Sequence, residues 1–298
     1  MSLLCVALSP SVDVTYQVPR LGGISRPHTV VRVPGGKGFN VARAAHTLGA
    51  SVGAAGIVGG HSGRWIADGL AAAGIAAELV EGAEETRSCV TITADDGAST
   101  EVYEPPTPVT ADEWAALTAV VAGAAADWVA LSGALPPGAP DGAIGVLADA
   151  AGGRVAVDTH GAALVGAVAH ADLVKINAAE AAALLGTDGP PDELATRLLE
   201  TTDGPQLVVV TAGAAGAVAV TRDDRGPVWA RPPALPAHHP VGSGDSFLAG
   251  LLTADPSDLD DALRRAVAAG AANALVPGAA VLDPERCAEL TPQVRLDR

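Results

Sequence analysis

Asp245 stands in a setting suited to holding an anion. It belongs to Pro240-Val241-Gly242-Ser243-Gly244-Asp245-Ser246-Phe247-Leu248-Ala249-Gly250, where two glycines lead straight into an apolar helix. A chain entering a helix this way can turn several backbone N–H groups toward phosphate oxygens. The Asp245 carboxylate would sit inside that ring of donors. The same residues also fit a simple helix N-cap. A cap needs no glycine on either side of the acid, so the two glycines favour the anion site.

Three further stretches carry candidate chemistry. Pro34-Gly35-Gly36-Lys37-Gly38-Phe39-Asn40-Val41-Ala42 holds three glycines in four residues before a helix. Its backbone can approach a ligand closely, or simply form a mobile turn, and Asn40 can hydrogen-bond hydroxyls. The spacing is not that of a Walker A loop, since position 31 is Val, and no G-x-G-x-x-G occurs anywhere. Lys175-Ile176-Asn177-Ala178-Ala179-Glu180 ends a strand and opens a helix. Asn177 and Glu180 make a near capping box, the reading that the isolated motif favours; the alternative is a weak magnesium site held through water. Lys175 adds a positive charge at the carboxyl end of a strand, where α/β proteins bind ligands. Thr211-Ala212-Gly213-Ala214-Ala215-Gly216-Ala217 is a glycine-pair turn, either a plain hairpin or a flat backbone surface for a nucleotide. Lys37 and Lys175 are the only lysines, against sixteen arginines. That bias fits GC-rich codon usage and draws attention to the two that remain.

The elements that must position these groups alternate along the chain. Strands are expected at Leu3–Leu8, Val52–Val58, Trp128–Leu131, Val155–Asp158, Leu173–Ile176, Leu207–Thr211 and Ala217–Val220. Helices are expected at Phe39–Leu48, Gly63–Ala73, Ala111–Ala122, Asp141–Ala150, Ala178–Leu185, Asp192–Thr201, Ser246–Leu252 and Leu259–Ala274. Strands separated by helices imply an α/β fold, a doubly wound, mostly parallel sheet flanked by helices. Two regions, 12–33 and 88–106, alternate polar and apolar residues instead, the second around an Asp95-Asp96-Gly97 turn. They are read as a small extra antiparallel sheet over one end of a single domain spanning 1–298.

Composition bounds the function. In 298 residues, 49% are hydrophobic and 3% aromatic, so the core is built of Ala, Val, Leu and Ile. A net charge of −16 disfavours nucleic acid and anionic membranes as partners. Cys5, Cys89 and Cys287 are far apart and odd in number, which predicts reduced thiols and no zinc site. The start lacks a signal-peptide pattern and no apolar run is long enough to span a bilayer, so a cytoplasmic protein is expected. His238-His239 lacks a third ligand. Trp114 and Trp128 read as packing residues, and Asp258, Asp260 and Asp261 as the acidic start of a helix.

The four stretches, in this order, resemble the ribokinase-like (PfkB) carbohydrate kinases. The match runs from Ser9-Pro10-Ser11-Val12-Asp13 to Ala271-Ala272-Asn273 and Pro277-Gly278. Leu8-Ser9-Pro10, Asn40-Val41-Ala42, Ser132-Gly133-Ala134-Leu135-Pro136 and Pro240–Asp245 resemble the phosphosugar branch, the 1-phosphofructokinases and tagatose-6-phosphate kinases among them. The resemblance implies a ribokinase-like fold with a β-sheet lid, ATP and Mg2+, an optional monovalent cation, and a phosphorylated ketose as acceptor. It implies that Asp245 is the catalytic base, with Gly242 and Gly244 beside it. Asp13, Gly36, Lys37 and Asn40 would hold the sugar, and Arg26, Arg87 and Ser132 its phosphate. Lys175, Thr211, Gly213, Gly216, Ser243 and Asn273 would line the ATP side, with Asn177 and Glu180 serving magnesium indirectly. A homodimer through the lid is a further expectation. Ile176, Glu104-Pro105-Pro106 and His160 depart from the usual pattern.

Overall fold

Apolar runs such as Leu207–Val210 can be satisfied only by burial on both faces, and a helix-covered parallel sheet provides it. The computed structural model describes residues 2–201, 203–223, 226–255 and 257–298. The elements run β1 (Ser2–Ala7), β2 (Ser11–Val18), β3 (Thr29–Gly35), α1 (Lys37–Thr47), β4 (Ser51–Gly59), α2 (Gly60–Ala72), β5 (Ala76–Gly82), β6 (Ser88–Ala94), β7 (Ser99–Tyr103), α3 (Ala111–Gly123), β8 (Trp128–Ser132), α4 (Ala143–Ala150), β9 (Arg154–Asp158), α5 (Gly161–Ala167), β10 (Leu173–Asn177), α6 (Ala178–Leu185), α7 (Pro191–Thr201), β11 (Leu207–Thr211), β12 (Ala217–Thr221), β13 (Val228–Arg231), α8 (Ser243–Leu252), α9 (Leu259–Asn273), α10 (Pro284–Leu290) and β14 (Arg295–Asp297). The large sheet has the order β14-β13-β12-β11-β10-β9-β8-β1-β4-β5. It is parallel from β5 to β11 and antiparallel from β11 to β14.

Side chains alternate between two cores. Leu3, Cys5 and Ala7 of β1 face α1, α2, α8 and α9, while Leu4, Val6 and Leu8 face α3 to α7. Capping chemistry sets several helix starts. Thr110 with Glu113 forms a full capping box on α3, Asp258 caps α9, and Asp283 caps α10 with Pro284 in its first turn. Trp114 and Trp128 are buried, as expected, and all three cysteines are buried and free.

A second sheet has the order β3-β2-β6-β7. Its hairpin between β6 and β7 turns at Gly97, whose φ of 86° suits glycine. Contrary to the expectation of a purely antiparallel sheet, β2 and β6 pair in parallel. The chain between them crosses through α1, β4, α2 and β5, and so re-enters in the same direction. Five elements were not anticipated: β5, β13, β14, α5 and α10. Among the described residues, no helix is long and apolar enough to cross a membrane.

Candidate active site

The chain order places β1 centrally, with β4 on one side and β8 on the other, so the winding reverses there. Beyond the carboxyl ends of these strands, where such a reversal opens a crevice, lies a cleft of about 1530 Å³. The small sheet walls one end, through Asp13, Arg87, Cys89 and Tyr103. The other end is an apolar slot that includes Leu235, Phe247, Val267 and Ala271.

Asp245 sits between the two ends, buried in the first turn of α8. Gly242 precedes the helix at φ 83°, and a Cβ there would overlap the backbone of Ala279 and Ala280. The backbone N–H groups of Gly244 and Asp245 have no acceptor among the described residues, while Ser246 N donates to Gly242 O at 2.9 Å. No side chain caps α8, whose N-cap is Gly242, so the simple-cap reading does not hold; what stands is a helix start with free donors and a carboxylate among them. Burial, with help from the neighbouring Asp158 charge, pushes the Asp245 carboxyl up to about 6; Lys37, Lys175 and Asn40 pull the other way. Asn40 Nδ2 donates to Asp245 Oδ2 at 2.9 Å and to Asp13 Oδ2 at 3.3 Å. Ser11 Oγ donates to the other Asp13 oxygen at 2.6 Å.

The two lysines meet on one acid. Lys37 Nζ and Lys175 Nζ each donate to Asp158 at 2.8 Å, one to each oxygen. Burial opposes the Asp158 charge, but the two ammonium groups outweigh it and hold its pKa below the usual range. Asp158 thus ties the first turn of α1 to the end of β10. Nothing in its own neighbourhood of sequence announces this role; the scarcity of lysine was the available signal.

The glycines of Gly35–Gly38 serve packing. A Cβ on Gly38 would overlap the backbone of Val6 and Ala7, and one on Gly36 would lie 2.6 Å from Ser9 O. One on Gly35 would overlap the Asp13 carboxyl. They let α1 press on β1 and bring Lys37 and Asn40 into the cleft. Close approach here is to the protein's own backbone.

On the slot side, Lys175, Thr211, Gly213, Gly216 and Ser243 line the cleft. The turn at Gly213–Ala215 joins antiparallel β11 and β12, so it is a hairpin that also borders the cleft. Arg295, from the unanticipated β14, lines the same region. Asn177 and Glu180 form a complete capping box on α6 and also line the cleft. Glu180 bonds the backbone N–H of Asn177 through Oε2 alone, which leaves Oε1, a hard oxygen donor fit for magnesium or its water. Among the described residues, no group of three or more His, Cys, Asp or Glu could hold a metal.

Three residues that the sequence assigned to ligands do not line the cleft. Arg26 lies exposed in the connection between β2 and β3. Ser132 is wholly buried, its hydroxyl without a partner. Asn273 is also wholly buried; its Nδ2 donates to His239 O at 3.1 Å and Val241 O at 3.0 Å, and so braces the loop that carries Asp245. Arg87 does line the cleft. It donates to Glu104 O at 2.9 Å, and its Nε is buried without a partner beside the equally unpartnered hydroxyl of Ser9.

A doubly wound sheet, a helix N-terminus with free amides and a carboxyl buried beside it suit phosphoryl transfer to an alcohol. The sequence profile of the pfkB family carbohydrate kinases matches residues 2–286. The chain belongs to that family and is a carbohydrate kinase, for which ATP is the expected donor. It is 34% identical over 269 residues to a 1-phosphofructokinase of Haloferax volcanii, covering 87% of this chain and 86% of that one. Phosphofructokinase-2 from Escherichia coli in complex with substrates and products superposes with a TM-score of 0.89 at 28% identity, over 98% of each chain. The same protein in complex with potassium gives 0.88 at the same identity and coverage.

Proposed function

We propose that this kinase transfers the γ-phosphoryl of ATP to a hydroxyl of a phosphorylated ketose, fructose 1-phosphate being the first candidate and fructose 1,6-bisphosphate its product. The observation that carries the reading is the position of Asp245: buried, at the free-amide end of α8, between a polar end holding Asp13, Asn40 and Arg87 and an apolar slot suited to a base. Asp245 accepts the proton of the attacking hydroxyl, and that oxygen bonds to the γ-phosphorus as ADP leaves. The N–H groups of Gly244 and Asp245 face the transferring phosphoryl and stabilise its charge. Asp13, Lys37 and Asn40 orient the sugar. Arg87, whose Nε lacks a partner, grips the sugar's own phosphate. Lys175, Thr211, Gly213, Gly216 and Ser243 line the nucleotide side. Glu180 and Asn177 would hold magnesium through its water, and the ion would supply charge neutralisation to the nucleotide. The similarity to a phosphofructokinase crystallised with potassium supports a monovalent cation as activator. The small sheet serves as lid and as the dimer face, and the protein is cytoplasmic.

Coupled ADP-release assays with fructose 1-phosphate, fructose 6-phosphate, tagatose 6-phosphate, fructose and ribose test the acceptor. The highest kcat/KM is expected for fructose 1-phosphate. Preference for an unphosphorylated sugar would reject the phosphate grip. Arg87→Ala is expected to raise KM for the sugar phosphate at least tenfold, with KM for ATP nearly unchanged; equal changes in both would reject that role.

A further inference from the structure

Arg43 lies one helical turn beyond Asn40 on α1 and does not line the cleft. Its guanidinium nevertheless makes four hydrogen bonds close to Asp245. Nη2 donates to Asn40 Oδ1 at 2.7 Å and to Ala279 O at 2.6 Å. Nη1 donates to Ala280 O at 3.4 Å, and Nε to Pro34 O at 2.9 Å.

A guanidinium only donates, so the end of the Asn40 amide that faces it must be the oxygen. The NH2 end then faces Asp245 Oδ2 and Asp13 Oδ2. Turned over, the amide would set its oxygen against two carboxylate oxygens and its NH2 against a cation. We propose that Arg43 is a positioning residue. It fixes the side-chain amide of Asn40 so that both N–H bonds point at the carboxylates of Asp13 and Asp245, holding the proton acceptor and the sugar-side acid at one separation. The same guanidinium ties α1 to the turn at Ala279–Ala280, against which Gly242 packs. Ala280, at φ 49°, is the one non-glycine residue with positive φ among the described residues, and the bond to its carbonyl helps hold that turn.

The inference rests on Asp245 being the proton acceptor, so its test needs readouts with and without turnover. The charged and polar groups facing Asp245 are Lys37, Asn40 and Arg43 from α1, Asp158 from β9 and Lys175 from β10. Wild type, Asn40→Ala, Arg43→Met, Arg43→Lys and the double variants with Asn40→Ala are compared. Arg43→Met should lower kcat by about 10- to 100-fold, the scale of a misplaced reacting group, and change KM for ATP less than about twofold. Adding it to Asn40→Ala should lower kcat by less than about threefold further, because the amide it held is gone. Arg43→Lys, which keeps one donor, should recover part of the loss.

Without turnover, a 13C NMR titration of the Asp245 carboxyl, assigned with Asp245→Asn, should move upward in Arg43→Lys, which keeps the charge that couples directly to Asp245, and hardly move when the same change is made on Asn40→Ala. Losses in kcat that multiply in the double variant, or an Arg43→Lys titration shift that persists without Asn40, would overturn the proposal; the latter would show that Arg43 acts on Asp245 without the amide. If Arg43→Met does not fold, the Arg43→Lys pair is read in the same way. Turnover of none of the acceptors by wild type would defeat the kinase reading, while the titration would still decide whether Arg43 acts through Asn40.

Discussion

Asp245 combines two demands that oppose each other. Burial favours the neutral acid, while the base proposed for the reaction must be ionised to take a proton. The protein holds the balance near neutrality, at about 6, with Lys37, Lys175 and Asn40 offsetting burial and the Asp158 charge. In the free enzyme, kcat/KM should therefore rise about tenfold per pH unit below 6 and level off above it. An acidic limb near 4 would contradict this electrostatic picture. Asp245→Asn should keep the fold and bind the sugar phosphate, yet lose about 10²- to 10⁴-fold in kcat; near-normal turnover would remove Asp245 from the reaction. It should also alter stability in a defined window. The native carboxyl keeps its proton up to about 6, against about 3.9 unfolded. Wild type therefore loses stability relative to the variant as pH rises from about 4 to 6. Asp245, Asn40 and Lys37 were legible because each lies in a short motif with its own spacing. Asp158 and Arg43 were not, since each matters through partners from other elements: two lysines 138 positions apart for one, the Ala279–Ala280 turn for the other.

At the scale of elements, the catalytic geometry depends on how closely α1 lies on β1. Gly38 marks the contact, because a methyl group there meets backbone that has no rotamer to escape into. Gly38→Ala should cost about 1–3 kcal/mol of stability, and should lower kcat because Lys37 and Asn40 ride on the same turn. Gly166→Ala in α5 is the control: nothing lies within 4 Å of its Cβ, so a gain of about 0.5–1 kcal/mol is expected. Thermal melts of both variants decide the matter, and a Gly38→Ala protein as stable as wild type would show that α1 has room to move. The long apolar strands and the helices were readable from periodicity and capping residues. What escaped was short or on an edge. The edge strand β5, Ala-Ala-Glu-Leu-Val-Glu-Gly, is mostly exposed, so its residues show no core-facing alternation. α5 and α10 have seven residues each, and β14 has three. The parallel pairing of β2 with β6 depends on the path between them, which local alternation does not record.

For the whole molecule, a charge of −16 must coexist with phosphorylated substrates. Lys37, Arg87, Lys175 and Arg295 supply cations inside the cleft, whose walls reduce screening relative to open solvent. The small sheet that closes one end exposes apolar groups on its two edge strands. Val102 on β7 is 57% exposed and Val30 on β3 is 40% exposed. Val102 alternates with Glu101 and Tyr103, which line the cleft, so it faces the opposite side. An unpaired strand edge with apolar residues invites pairing with a second copy. Dimerisation there would also fix the sheet over the sugar end, coupling assembly to acceptor binding. Light scattering after gel filtration should give wild type about twice the chain mass of 29.4 kDa, and Val102→Lys should shift it toward one chain mass. The same variant should raise KM for the sugar phosphate more than KM for ATP, because Cys89 and Tyr103 ride on that sheet and Arg87 directly precedes it, while the slot proposed for the nucleotide does not. A dimer unaffected by the lysine would move the interface elsewhere, and a monomeric wild type would leave the small sheet to cover the acceptor alone.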